Sequence, residues 1–351
     1  MGRPGDGDPD RPGDVDLRHH GDVDAAPGLV DFAVNVRGEG PPRWLAARLT
    51  AQLATLGRYP SASAERAARE QVAARHGRDP EEVLLLSGGA EGFAMLPRLG
   101  SRLAALIHPS FTEPEWALRQ AGIPVQQVLL PPPYRLAAAA VPDAADLVVL
   151  GNPTNPTSVL HPAADVLALR RDGRIVVVDE AFGDAVPGEP ESLAGQSLPD
   201  VLVLRSLTKT FALAGLRCGY ALGDPGVLAR LQQGRAHWPL GSLQVEAIRA
   251  CSEPEAVAWA EREAALIASE RAAMLALLGA AGVEVVGPAN APFLLLRVPD
   301  ADLVRKKLQD GGIAVRRCDT FPGLDPNHLR VAVRAADPAQ TLVSALTEVL
   351  A

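Results

Sequence analysis

The sequence predicts an α/β fold: a mostly parallel seven-stranded sheet with helices on both faces, followed by a small α+β C-terminal domain. Three observations carry this. Seven short apolar runs alternate with helical stretches between residues 83 and 222. Each run is four or five residues long, and most are made of Val, Leu, Ile and Ala without polar alternation, as expected of strands buried on both faces. Beyond residue 282 the order becomes strand, helix, strand, strand, helix, which is the pattern of a smaller layered unit.

Residues 1–16 are rich in Gly, Pro and Asp and read as a disordered tail. An N-terminal segment or arm follows at 17–60, with an extended piece at Leu29–Asn35, a helix at Pro41–Leu56 and a break at Tyr59-Pro60. The large domain spans 61–240. It opens with a helix at Ala64–His76. Its strands are expected at Val83–Leu86, Leu103–Ile107, Val125–Leu129, Leu147–Leu150, Ile175–Val178, Val201–Leu204 and Cys218–Leu222. Helices are expected at Gly92–Leu99, Glu113–Ala121, Pro162–Arg171 and Phe211–Leu216. Long connecting helices occupy 241–282, with Leu243–Ala281 reading as one helical stretch. The small domain at 283–351 reads as strand Phe293–Val298, helix Ala301–Asp310, strand Ile313–Arg316, strand Leu329–Val333 and helix Pro338–Leu350.

The chain has 351 residues, 47% of them hydrophobic, enough for one large domain or two unequal ones. A net charge of -8 argues against nucleic acid as a partner. No apolar run reaches membrane-spanning length, and no signal-peptide core opens the chain. Cys218, Cys251 and Cys318 lie far apart with no metal-ligand spacing, so no metal site is expected and a reduced, cytoplasmic setting fits.

In open α/β sheets ligands bind beyond the strand C-termini, and the chemically suggestive strings fall there. Ser87-Gly88-Gly89-Ala90-Glu91-Gly92 joins a strand to a helix, where glycines let the backbone approach an anion and first-turn N–H groups can bind it. Pro109-Ser110-Phe111 places an aromatic face after the next strand. Asn152-Pro153-Thr154-Asn155-Pro156-Thr157-Ser158 carries two Asn-Pro pairs three residues apart and makes a rigid loop. Asp179-Glu180-Ala181-Phe182 ends a buried strand on a carboxylate that is costly without a cationic partner. The pair could also read as a metal-binding or Walker-B-like acidic pair, which the lack of a GxxxxGK[ST] loop discounts. Ser206-Leu207-Thr208-Lys209-Thr210 sets one amine between hydroxyls, with Arg217 eight positions on. An amine that must attack a carbonyl needs a fixed place and a depressed pKa, and a nearby phosphate needs hydroxyls and an arginine. Near the C-terminus, Arg316 and Arg330 lie fourteen residues apart on neighbouring predicted strands, suited to planar recognition of anions.

Taken in order, these strings resemble the fold-type I pyridoxal-phosphate (PLP) enzymes, the aminotransferase class I/II group, over nearly the whole chain from about residue 20. The resemblance implies an aspartate-aminotransferase-like large domain and PLP as cofactor. It makes Lys209 the residue that carries PLP covalently and moves the substrate proton. Gly89, Ala90 and Glu91 become the phosphate loop, acting through backbone N–H groups of Ala90 and Glu91. Phe111 stacks on the ring, Asn155 donates to its phenolate oxygen, and Asp179 holds its nitrogen protonated. Ser206 and Arg217 complete the phosphate cup, with Thr208 a lesser contributor. Tyr59 reaches the phosphate of a neighbouring subunit, which implies a homodimer with shared sites. Arg330 binds a substrate carboxylate, Arg316 a second anionic group, and Asn35 and His20 belong to a substrate-covering segment.

The chain departs from the pattern at five places. Glu91 stands where Ser, Thr or Asp is usual, and Gly92 where Glu is common. Ser158 replaces Gly, Phe182 replaces Tyr, and Asp22 replaces a second glycine after His20-Gly21. Two branches fit the length: threonine-phosphate decarboxylase of cobalamin synthesis and histidinol-phosphate aminotransferase. Phe182, the Val315-Arg316-Arg317-Cys318 string, the Arg330–Arg334 strand and the early His-Gly lead to L-threonine O-3-phosphate decarboxylase as the expected activity. The alternatives are amino transfer from a histidinol-phosphate-like amine to 2-oxoglutarate, and a catalytically silent PLP-binding relative. The expected partner is a small phosphorylated amino acid or amine.

Overall fold

The structure is a computed structural model describing residues 17–19, 21–136 and 140–351. The tail expected at 1–16 and His20 lie outside the described residues. In chain order the elements are α1 (Gly21–Asp24), β1 (Val30–Asp31), α2 (Arg43–Gln52), α3 (Ala62–His76), β2 (Val83–Leu86), α4 (Gly89–Met95), β3 (Ala104–His108), α5 (Glu113–Gln120), β4 (Val125–Leu129), β5 (Leu147–Gly151), α6 (Ala163–Leu167), β6 (Ile175–Asp179), β7 (Val201–Ser206), β8 (Gly219–Leu222), α7 (Pro225–Gln232), α8 (Ser242–Cys251), α9 (Pro254–Ala280), β9 (Glu284–Val285), β10 (Phe293–Arg297), α10 (Ala301–Asp310), β11 (Ile313–Ala314), β12 (Arg316–Arg317), β13 (His328–Ala332) and α11 (Ala336–Leu350).

The seven strands β2 to β8 form one sheet in the order β2-β8-β7-β6-β5-β3-β4. β8 runs antiparallel to both neighbours, and the other pairings are parallel. Alternate residues feed two separate cores. Leu85, Val148, Val176, Val178 and Val203 pack on one face, while Leu84, Val149, Val177 and Leu204 pack on the other. This is why the strands read as unbroken apolar runs. The C-terminal ends of β3, β5, β6 and β7 collect on one edge and deliver the loops that follow His108, Gly151, Asp179 and Ser206.

A four-stranded antiparallel sheet, β12-β13-β10-β9, forms the C-terminal unit. Leu294, Leu296, Leu329 and Val331 pack there against Leu308, Leu342 and Leu346 of α10 and α11. β1 pairs in parallel with β11, and Phe32 belongs to the same core.

Several expected elements change. The stretch Phe211–Leu216 is a series of turns, not a helix, because Ala212 (φ 51°) and Arg217 (φ 60°) take left-handed conformations that interrupt helical hydrogen bonding. The stretch Leu243–Ala281 is two helices, parted at Ser252 and Glu253 by Pro254, which fits only the first turn of α9. The strand expected at Ile313–Arg316 splits at Val315 and serves two sheets. Only Ala163–Leu167 of the expected Pro162–Arg171 helix is α-helical. Helix α7 was not expected. Asp224 caps it by accepting from the Gly226 and Val227 N–H groups, with Pro225 at its first position.

Candidate active site

Asp179 ends β6 beside Gly151, which ends β5. It lines a pocket together with Phe111, Ser110, Asn155 and Gly151. Its Oδ1 accepts from the Ala181 N–H at 3.0 Å. Burial pushes the Asp179 carboxyl up to about 6; the neighbouring Glu180 adds to this, and the Ala181 N–H and Lys209 oppose it. Lys209 is near enough to act electrostatically on Asp179. Glu180 is turned elsewhere: it accepts from Arg205, the Ser192 hydroxyl and the Leu193 N–H. Glu180 follows the end of the strand and is taken up by these partners, so of the two carboxylates it is Asp179 that lines the pocket.

Lys209 follows β7. Its carbonyl accepts from the Arg37 N–H at 3.4 Å. Its Nζ lies 6.0 Å from the centroid of the Phe182 ring. Phe182 meets Phe293 edge-on at 4.9 Å, and Phe293 lies 5.5 Å beneath the Arg330 guanidinium. An apolar ring therefore stands near the lysine, where the common pattern has a tyrosine hydroxyl.

The Gly88–Arg217 corner is a tight cradle. Gly88 has φ 79°, and a Cβ there would sit 3.1 Å from Arg217 Nη2. Arg217 is held in a left-handed conformation and packs its guanidinium over the start of α4. Ser206 and Thr208 are buried beside it in sequence, the Ser206 hydroxyl accepting from the Thr208 N–H at 3.3 Å. Gly89 and Ala90 open α4, ahead of its own hydrogen-bond ladder. Glu91 behaves differently from expectation in part. Its N–H donates to the Gly88 carbonyl at 3.2 Å, and its carboxylate folds back onto the Ser87 N–H and Arg235. Gln244 clamps the corner by donating to Ser87 Oγ and the Arg217 carbonyl.

Arg316 and Arg330 are directly opposite each other across β12 and β13. Arg330 donates to Asn155 Oδ1 at 2.7 Å and to the Ala33 carbonyl, while its buried Nε has no partner. Burial, with Arg316 nearby, pushes the Arg330 guanidinium down to about 9. Asn35 is also buried, and its Oδ1 has no partner. Arg316 donates to the carbonyls of Arg317 and His19 and to the Thr320 hydroxyl. Tyr59 lies outside this cluster, 74% exposed and stacked on Trp238 at 4.4 Å.

Three contacts were not legible in the sequence. The Asn155–Arg330 bond spans 175 positions. Ser110 lines the pocket, backed by His108, whose Nε2 meets Glu115 at 2.8 Å. Ser158, left-handed at φ 64°, accepts on Oγ from the Asn290 and Ala291 N–H groups and so ties the Asn155 loop to the C-terminal unit. Ser158→Ala should cost about 1–3 kcal/mol in chemical denaturation, since it strands the buried Ala291 N–H. An unchanged midpoint would show that the tie carries no weight.

These residues fit PLP on two observations. A deep carboxylate whose pKa burial raises to about 6 suits a protonated pyridine nitrogen, and a glycine cradle facing an arginine suits a phosphate. Among the described residues, no helix is long and apolar enough to cross a membrane.

Comparison with known proteins agrees with this geometry. The family described as Aminotransferase class I and II matches residues 27–349. A Mycobacterium tuberculosis protein named histidinol-phosphate aminotransferase is 59% identical over 325 residues, covering 93% of this chain and 88% of its own. The threonine-phosphate decarboxylase of Salmonella typhimurium is 31% identical over 337 residues, covering 92% of this chain and 91% of its own. The histidinol-phosphate aminotransferase of Sinorhizobium meliloti, solved in complex with pyridoxal-5'-phosphate, superposes with a TM-score of 0.78 at 21% identity, covering 92% of this chain and 91% of its own. These comparisons weigh toward the amino-transfer alternative rather than the decarboxylase reading. The chain belongs to the class I and II aminotransferases, PLP-dependent enzymes of fold-type I.

Proposed function

We propose that this enzyme transfers the amino group of a histidinol-phosphate-like amine to 2-oxoglutarate. One observation carries the choice between branches: the 59% identity, over 93% of the chain, to a protein named for that reaction, against 31% to the decarboxylase. The opposed Arg316–Arg330 pair supports an anionic substrate, because two guanidiniums on one sheet face favour a phosphate or carboxylate.

PLP, when bound, supplies a ring that accepts the electron pair of the bond broken at the substrate α-carbon. In the proposal, Asp179 keeps the ring nitrogen protonated and Asn155 donates to the ring oxygen. Phe111 covers one face of the ring. Ser206, Arg217 and the first-turn N–H groups of Gly89 and Ala90 hold the phosphate, with lesser roles for Thr208 and Glu91. Lys209 Nζ would take the proton from the α-carbon of the amine and, in the second half of the cycle, give one to the α-carbon of the amino acid formed from the keto acid. Arg330 orients a carboxylate or phosphate while Asn35 offers it a polar edge, and the Phe182–Phe293 pair keeps water from the lysine.

The division into arm, large domain, connecting helices and small domain is part of the proposal, supported by the separate core around β10 and β13. So is a homodimer. Tyr59, Trp238, Leu53 and Leu56 are exposed apolar groups of the kind a second copy would cover. The three free, buried cysteines support a reducing, cytoplasmic setting.

Purified holoenzyme given histidinol phosphate and 2-oxoglutarate should form glutamate. CO2 release from threonine phosphate, with no need for a keto acid, would overturn the reading in favour of decarboxylation.

A further inference from the structure

The first described residues form a strap across the arginine pair. Thr112 Oγ1 donates to the Leu17 carbonyl at 2.6 Å, and the Arg18 guanidinium lies 4.6 Å above the Trp116 ring, so the strap begins on α5 of the sheet unit. It ends on the C-terminal unit, where the His19 carbonyl accepts from Arg316 Nη2 at 2.7 Å. Beyond His19, Gly21 passes against Arg330. A Cβ there would meet the Ala33 carbonyl oxygen at 2.5 Å and Arg330 Nη2 at 3.4 Å.

Asp24 closes the strap. Its carboxylate is buried, 3.5 Å from Arg316 Nη1, 3.1 Å from His19 Nε2 and 3.8 Å from Arg305 Nη1. The surrounding charges do not balance. Among the described residues Arg330 donates to the neutral oxygens of Asn155 and Ala33, and Arg305 turns its other end to the exposed Asp302. Arg317 is occupied by Asp319, and Asp31 spends Oδ1 on the Ala33 and Val34 N–H groups. Two guanidiniums, those of Arg316 and Arg305, thus share one buried carboxylate while Arg330 lies across the strand pair from Arg316, and among the described residues the buried Nε atoms of Arg330 and Arg305 have no hydrogen-bond partner. Such a cluster favours further negative charge.

We propose that Asp24 is a competing internal ligand of Arg316, which the phosphate of the substrate must displace to bind. Asp24 then sets the enzyme's affinity for phosphorylated substrates, and its release frees the strap from the C-terminal unit. The inference rests on the reading of the site as one for a phosphorylated amine, but its central test needs no turnover.

Holoenzyme is titrated with inorganic phosphate by calorimetry as wild type, Asp24→Asn, Arg316→Gln and the double variant. Asp24→Asn should bind phosphate about tenfold tighter or more, the scale on which one charge at 4–6 Å biases a neighbouring ionic equilibrium. Arg316→Gln should remove the gain in both backgrounds. In steady state, Asp24→Asn should lower KM for a phosphorylated amine and leave KM for its unphosphorylated counterpart unchanged. On the wild type, phosphate should speed hydrogen exchange across residues 17–24, a measurement that does not depend on any variant folding. Equal or weaker phosphate binding by Asp24→Asn, no phosphate binding by any of the proteins, or slower exchange in the strap would each overturn the proposal. Failure to turn over histidinol phosphate while the calorimetric result holds would count against the proposed reaction and not against Asp24.

Discussion

Lys209→Ala is expected to abolish the borohydride-sensitive visible band and to lower turnover by at least about 10²–10⁴-fold, the range for loss of a positioned proton-transfer group. The thermal unfolding midpoint should barely move. The chain has three lysines, and the other two, Lys306 and Lys307, lie on α10 of the C-terminal unit. A borohydride-fixed adduct mapped by peptide mass should therefore fall on one residue. The backbone at 209 is fixed independently of the side chain, since its carbonyl accepts from Arg37 and the Ser206–Thr208 turn precedes it. A band that survives the substitution would place the covalent chemistry elsewhere.

Asp179→Asn is expected to move activity and stability in opposite directions. In the cofactor-free protein, burial raises this carboxyl to about 6, against an ordinary value of 3.8. The folded state therefore binds the proton more tightly than the unfolded chain. Its contribution is fully present below about pH 4 and is lost as pH rises to about 6. A shift of this size corresponds to about 3 kcal/mol. Cofactor-free Asp179→Asn should escape that loss, standing more stable than wild type by up to that amount at pH 8, with a flatter profile between pH 4 and 6. Turnover should fall by about 10²–10³-fold, as when one preorganised electrostatic partner is removed. Parallel urea titrations of the two cofactor-free proteins between pH 4 and 8 decide the matter. Identical pH slopes would mean that Asp179 is not held out of water.

The sequence made the large sheet legible because its strands are buried on both faces. Val148-Val149-Leu150 and Val176-Val177-Val178 supply both cores at once, which leaves no polar alternation to confuse strand with loop. The site was legible where its residues follow those strands directly, as Asp179 and Ser206 do. It was opaque where contacts join distant segments: Asn155 with Arg330, Ser158 with Ala291, and Asp24 with Arg316. The false helix at Phe211–Leu216 has a local cause. Its composition suits a helix, but Ala212 and Arg217 adopt a backbone form that non-glycine residues seldom take, and the Arg217 side chain packs against Gly88, far away in sequence. Arg317 and Val315 likewise gave no sign that one predicted strand would divide between two sheets.

That division has a consequence for how the chain assembles. β1 finds its strand partner in β11, and the Phe32 carbonyl accepts from the Ala332 N–H, close to 300 positions away. Chains leave the ribosome N-terminus first, and domains tend to fold as they emerge. The opening strand must therefore wait, without its strand partner, through nearly all of translation until about the last ninth of the polypeptide arrives to receive it. A ribosome stalled short of residue 313 would carry a nascent protein whose large sheet can form while its opening strand has nothing to pair with.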